Sequence, residues 1–244
     1  MSPRRKDAEP LARERIVAAA IAIIDAEGLD SLSMRRLGAE LGVNPMAAYY
    51  HVPNKAALYD LVLEAVMGSV DTGGIDPFAP AAVQLKQAAR AYRSAILAHP
   101  RTIPVFSARS LRSAAALRPI EPFLGILFGA GFTADEALAA VDVVGQYIIG
   151  GLLGYYHHVV EPVADEQHEF EVPDRAEFPH LGRALAEGRY GGFEAEFEFG
   201  LDALVRGLLA GPRKELPGGG GDVPQRRSDH RARSREREAR RTGR

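Results

Sequence analysis

The sequence predicts an all-α fold on two observations. Between Ser31 and Lys55, SLSMRRLGAELGVNPMAAYYHVPNK reads as two short helices around a tight turn, the geometry that inserts a helix into DNA. Elsewhere, up to about residue 210, apolar residues recur at helical spacing between Ser, Thr, Asn or Pro starts and Gly stops. The expected organisation is an N-terminal three-helix DNA-binding domain with a helix-turn-helix over 1–68, a larger helical domain over 69–210, and a Gly/Arg-rich tail over 211–244.

Taken in order, the first helix is expected from about Leu11 to Glu27, with Ile16, Ala19, Ala20, Ile23 and Ile24 on one face and Gly28 as its stop. Ser33 can cap a second helix that presents Leu37 and Leu41, and Gly42 ends it because glycine adopts the left-handed conformation most readily. Val43 plugs the turn. Asn44-Pro45 restarts the chain: the Asn side chain accepts orphan amide hydrogens, and proline is pre-set for the first helical position. The third helix runs to His51, with Ala47 and Ala48 allowing close backbone approach and Tyr49, Tyr50 and His51 offering aromatic surface and polar tips. Val52-Pro53 breaks it, and Asn54 caps a helix that starts at Lys55 and carries Leu58, Leu61, Val62, Ala65 and Val66.

Beyond Gly68 the predicted helices are Pro80 to Ala98, a shorter piece around Thr102 to Leu111, and Pro119 to Ala130. Thr133-Ala134-Asp135-Glu136 is a capping box opening a long helix to about Val160. Residues 161–177 read as an acidic, proline-punctuated loop, and the last helix spans about Phe193 to Leu209. The long helix is apolar nearly all round from Val141 to Leu153, and the last carries Phe193, Phe197, Leu201, Leu204 and Leu208 on one stripe, so burial on both sides is expected. The tail has no apolar face, and disorder is expected there.

Composition bounds the function. A chain of 244 residues with 46% apolar side chains supports two helical cores, and the absence of cysteine excludes disulfide and thiolate chemistry, in keeping with a cytoplasmic protein. The N-terminus has no apolar signal core, and Ile148 to Leu153 is too short to span a membrane, so no membrane partner is expected. Residues 69–210 hold 11 basic and 18 acidic side chains, whereas 211–244 hold 11 basic and 5 acidic. A DNA binder with so acidic a body must place its cations locally; the candidates are Arg4, Arg5, Lys6, Arg35, Arg36 and Lys55. No Gly-rich phosphate loop, nucleophile elbow or paired catalytic carboxylate is present, so no catalytic residue, cofactor or enzyme activity is assigned. His157-His158 beside Glu161 suggests metal ligands only weakly, since adjacent helical residues point apart.

Together, the N-terminal helix, Met34-Arg35-Arg36-Leu37-Gly38, Leu41-Gly42-Val43, Tyr49-Tyr50-His51-Val52 and Asn54-Lys55-Ala57-Leu58 resemble the TetR family of bacterial repressors. The likeness continues through Tyr92-Arg93, Leu97, His99, Gly131-Phe132-Thr133, Glu136-Ala137-Leu138, Val144-Gly145 and Phe199-Gly200-Leu201, the pattern of the tetracycline-repressor branch, over roughly residues 10–210. It implies a homodimer whose two long C-terminal helices pair with their copies, a double-stranded DNA operator with two half-sites, and a small-molecule effector.

The resemblance also implies roles. Arg35 matches an arginine that reaches a guanine edge, and Tyr49, His51 and Lys55 match residues that grip phosphates, whereas Tyr50 is expected to pack into the domain. Pro45, Met46 and Ala47 stand where the tetracycline repressor has Gln, Pro and Thr, so the operator should differ. Its magnesium ligands are replaced here by Phe106 and Gly154, and its drug contacts by Asp71, Ala88 and Phe123; Phe and Gly offer no donor to a hard cation. The expected pocket is apolar and aromatic, with Tyr92, Phe106, Phe123, Phe128, Tyr147 and Leu153 in its lining and Arg109 and Gln146 as polar handles. The sequence therefore points to a repressor released by a small, largely apolar molecule. A DNA-binding regulator without an inducer, or a helical enzyme or scaffold dimer, remain as alternatives.

Overall fold

In the computed structural model, which describes residues 13–109, 113–162, 176–189 and 191–210, every regular element among the described residues is a helix. The leading arm with Arg4, Arg5 and Lys6, most of the acidic loop and the tail lie outside the described residues.

Helix α1 (Arg13–Glu27) buries Ile16, Ala20, Ile23 and Ile24. Helix α2 (Met34–Leu41) is capped by Ser33, whose hydroxyl accepts from the Arg36 amide at 3.1 Å, and is stopped by Gly42 in the left-handed region at φ 67°. Helix α3 (Pro45–His51) begins at Asn44, whose side chain accepts from the Met46 amide at 2.9 Å. The Asn54 side chain does the same for α4 (Lys55–Gly68), accepting from the Ala57 amide at 2.8 Å. The α2–α3 crossing is close: a Cβ added to Gly38 would lie 3.1 Å from the Pro45 backbone and the Val43 carbonyl oxygen.

Two hydrophobic clusters organise these helices, and α4 belongs to both. Leu58, Leu61 and Val62 join Ile16, Ile23, Ile24, Leu32, Leu37, Ala48 and Val52 in the first. Leu63, Val66 and Met67 enter the second, built on α5 (Ala81–Leu97), α6 (Ile103–Ala108), α8 (Ile120–Gly129), α9 (Ala134–Tyr155) and α11 (Gly192–Ala210). The capping box at the start of α9 is formed as expected, with Glu136 accepting from the Thr133 amide at 2.8 Å. Helices α5 and α11 run antiparallel, cross-linked by Lys86–Asp202, Arg90–Glu198 and Arg93–Glu194.

Two helices were not anticipated, α7 (Ala114–Leu117), which packs on α4, and α10 (Pro179–Glu187). The long helix also ends differently: its last turn, Tyr156–Val160, is π-helical, and the Tyr156 hydroxyl donates to Glu161 at 2.6 Å. Continuous over Ala134–Val160 and containing an 18-residue window with a mean hydropathy of 1.6, it is by length and composition long and apolar enough to cross a membrane, contrary to the shorter run read from the sequence. Its inner face, however, seats Ala137, Ala140, Val144, Ile148, Leu152 and Tyr156 in the second cluster. The outer faces of α9 and α11 keep Leu138, Val143 and Phe199 exposed.

Candidate DNA interface and ligand cavity

Helix α3 is held to the first cluster by a single fully buried side chain, Ala48, and Val52 just beyond its end is equally buried. Everything else on it turns outward or partly so: Met46 is 70% exposed, Tyr49 is 44% exposed, Ala47 and His51 are exposed, and Pro45 is half-buried. This corrects one expectation: Ala48 supplies the core contact, and Tyr50, expected inside, is 89% exposed with its ring edge-on to His51. The helical period accounts for both, because one inward position per two turns is all that a seven-residue helix resting on α2 needs.

The neighbouring arginines of α2 have different surroundings. Arg35 is exposed, and its guanidinium is bonded to no other described residue. Arg36 is tied to Glu27 on α1, with Nη2 at 2.6 Å, and to Glu40 one turn along, with Nη1 at 2.8 Å. Those carboxylates hold its guanidinium well above the usual arginine range, and the Arg36 guanidinium in turn holds Glu27 below the usual carboxylate range. Arg36 thus braces α1 against α2, and Arg35 is the cation of the pair left for an outside partner. Lys55 opens α4 with its ammonium 5.4 Å from the centre of the Tyr59 ring.

A cavity of about 690 Å3 opens among α5, α6, α8 and α9. Of the expected residues, Tyr92, Phe106, Arg109, Phe123, Gln146 and Leu153 line it, together with Val70, Thr72, Ala88, Ser107, Ile120, Asp142, Gly145 and Ile149. Tyr147 does not. It lies about 200° round α9 from Gly145 at roughly 100° per residue, and its hydroxyl donates to the Phe197 carbonyl at 2.8 Å while its ring stacks on Phe197. Phe128 is also outside the cavity, half exposed on α8. Burial pushes the Tyr92 hydroxyl up to about 12, so it presents a neutral O–H.

Of the positions aligned with the tetracycline repressor's ligands, Phe106, Ala88 and Phe123 give carbon to the cavity wall. Asp71 accepts from the Gly73 amide at 2.9 Å in the α4–α5 connection, and Gly154 faces Phe193. The His158 ring likewise stacks on Phe193, and the His157 ring sits edge-on to Tyr156. The contact least visible in sequence is between Arg109 Nε and Asp60 on α4, 49 positions apart, at 2.5 Å. No local pattern pairs those two residues.

A helix-turn-helix with an outward third helix, joined through α4 to a helical body with an internal cavity, defines a ligand-binding transcription regulator. Residues 16–62 match the family described as bacterial regulatory proteins, tetR family, and residues 81–211 match the tetracyclin repressor-like C-terminal domain. The chain belongs to the TetR family. It is 31% identical to the HTH-type transcriptional repressor DrrR1 of Streptomyces coeruleorubidus over 84% of this chain and 80% of that one. It is 30% identical to the class G tetracycline repressor protein of Vibrio anguillarum, over 79% and 91% respectively. Among solved structures, ActR of Streptomyces coelicolor in complex with actinorhodin superposes with a TM-score of 0.74 at 30% identity, covering 84% of this chain and all of that one. These relatives are regulators rather than enzymes.

Proposed function

We propose that the protein is a homodimeric repressor that acts in the cytoplasm, binds a palindromic DNA operator, and is released by a small, largely apolar molecule. The observation that carries this reading is the double membership of α4: the helix that begins with Lys55 in the DNA-binding half ends with Val66 and Met67 in the core that surrounds the cavity. A ligand that repacks the cavity wall therefore acts on a rigid element shared with the reading head. In the operator complex, Arg35 offers a planar fork to guanine O6 and N7, while Tyr49, His51 and Lys55 bind phosphates and Pro45, Met46 and Ala47 contact the groove. Two copies joined through the outer faces of α9 and α11 aim two such heads at one two-fold site, which multiplies the discrimination of a short helix.

The complex of ActR with actinorhodin supports a small-molecule effector here. The carbon lining at Phe106, Ala88 and Phe123 argues against a magnesium–tetracycline complex, which needs oxygen or imidazole donors. Selection of bound fragments from random duplexes, followed by a thermal-shift screen of apolar compounds, tests both parts. The reading expects a symmetric selected site and at least one compound that both raises the melting temperature and releases the duplex, because ligand and operator affinities oppose each other through one coupling energy. Asymmetric or absent enrichment contradicts the repressor assignment, and compounds that stabilise without releasing DNA contradict the inducer.

A further inference from the structure

Arg109 sits at a junction that the apolar cavity by itself does not explain. It lines the cavity, and the same guanidinium holds Asp60 on α4. We propose that the effector carries an acidic group on its apolar body, and that this group draws Arg109 away from Asp60, so that occupancy reaches the DNA-binding half as the loss of one ion pair. The proposal rests on the cavity being the effector site.

The chemistry favours such an exchange. The Arg109 side chain is 27% exposed and that of Asp60 is 51% exposed, so their pairing is half in water, where ion pairs hold weakly. An acid seated in the cavity meets the same fork in a drier setting, where a charge-assisted, two-pronged contact is stronger. Among the described residues, the lining has one other charged side chain, Asp142, which is exposed and therefore screened. Tyr92, protonated throughout the physiological range and making no hydrogen bond with another described residue, supplies a second donor for an anion.

A matched pair of fluorescent probes tests the proposal on the full chain: anilinonaphthalene sulfonate, and phenylnaphthylamine, which keeps the two rings but lacks the acid. Gly145→Phe is the blocking control, because Gly145 lines the cavity with open space where its Cβ would be. The expected result is binding of both probes, abolished by the block, with the sulfonate about ten-fold tighter, a preference that is lost in Arg109→Gln. Asp60→Asn should tighten sulfonate binding and leave the neutral probe unchanged. On a selected duplex, the sulfonate should release the wild type, whereas Arg109→Gln and Asp60→Asn, which lack the ion pair from the start, should bind the duplex more weakly than the wild type with no probe present. Equal affinities for the two probes, or a preference that survives Arg109→Gln, overturns the acidic ligand while leaving the cavity as a binding site. Wild-type duplex affinity in both Arg109→Gln and Asp60→Asn overturns the ion-pair route, and failure of both probes to bind removes the cavity reading itself.

Discussion

Arg35 and Arg36 stand side by side on α2, and their different partners give different expectations. With no bond to another described residue, Arg35 is the one that serves the DNA in the proposed function. Arg35→Ala should cost about 1–3 kcal/mol in duplex affinity, the usual discrimination of one arginine–guanine contact, with an unchanged melting temperature; fluorescence anisotropy and calorimetry check the two halves. Arg36, bound to Glu27 and Glu40, should behave in the opposite way, with Arg36→Ala lowering the melting temperature and keeping sequence preference. At the turn, Gly42→Ala forces a Cβ into left-handed backbone and should cost roughly 1–2 kcal/mol by chemical denaturation. Tyr92 and Tyr156, both pushed up to about 12, the first by burial and the second by burial and the Glu161 carboxylate, make a pH prediction. The unfolded chain ionises near pH 10 while the folded one keeps these protons, so their contribution is intact below pH 10 and falls as pH rises toward 12. Melting curves of wild type and a Tyr92→Phe, Tyr156→Phe variant should converge in shape below pH 10 and separate above it.

At the scale of elements, α4 couples two packing problems. Leu58→Ala should destabilise by about 2–5 kcal/mol through the first cluster and Met67→Ala by a similar amount through the second, since both are fully buried. Because one helix serves both, calorimetry of each variant should show a single transition shifted down; two separated transitions would contradict the shared helix. The starts of α2, α3, α4 and α9 were legible in sequence because Ser33, Asn44, Asn54 and Thr133 each accept a hydrogen bond from an amide two or three residues ahead, a purely local event. What escaped gives weaker signals, even though the Ser113 hydroxyl caps α7 by accepting from the Ala116 amide. Helix α7 is four residues long, too short for an apolar period, and α10 begins without a side-chain cap. In the candidate site, six of the eight expected cavity residues lie in the lining and were legible from aromatic, apolar and polar types on the right helices, whereas Phe128 and Tyr147 lie outside it. Tyr147 failed because the nearly all-round apolar character of α9 hides which arc faces the cavity, and α11 captured that side chain through Phe197. Asp60 was invisible because its partner is distant in sequence.

At the scale of the whole molecule, an acidic body must be brought to an acidic polymer by a few well-placed cations, so residues 69–210, with seven more acidic than basic side chains, oppose approach while α2, α3 and the start of α4 permit it. Operator affinity should therefore fall steeply with added salt, and a linear dependence on log salt, measured by anisotropy, counts the phosphates neutralised. In the proposed dimer, the exposed Leu138, Val143 and Phe199 on α9 and α11 give the surface through which two copies join. Phe199→Glu should shift the protein toward monomers in analytical ultracentrifugation and weaken operator binding without loss of helical content. The most direct test of the account is the stoichiometry and symmetry of the complex on a duplex selected from a random pool, measured together for wild type and Arg35→Ala. Two chains on one two-fold site, with site preference lost in the variant, is the predicted result; a wild-type monomer that binds no duplex even at low ionic strength would contradict it.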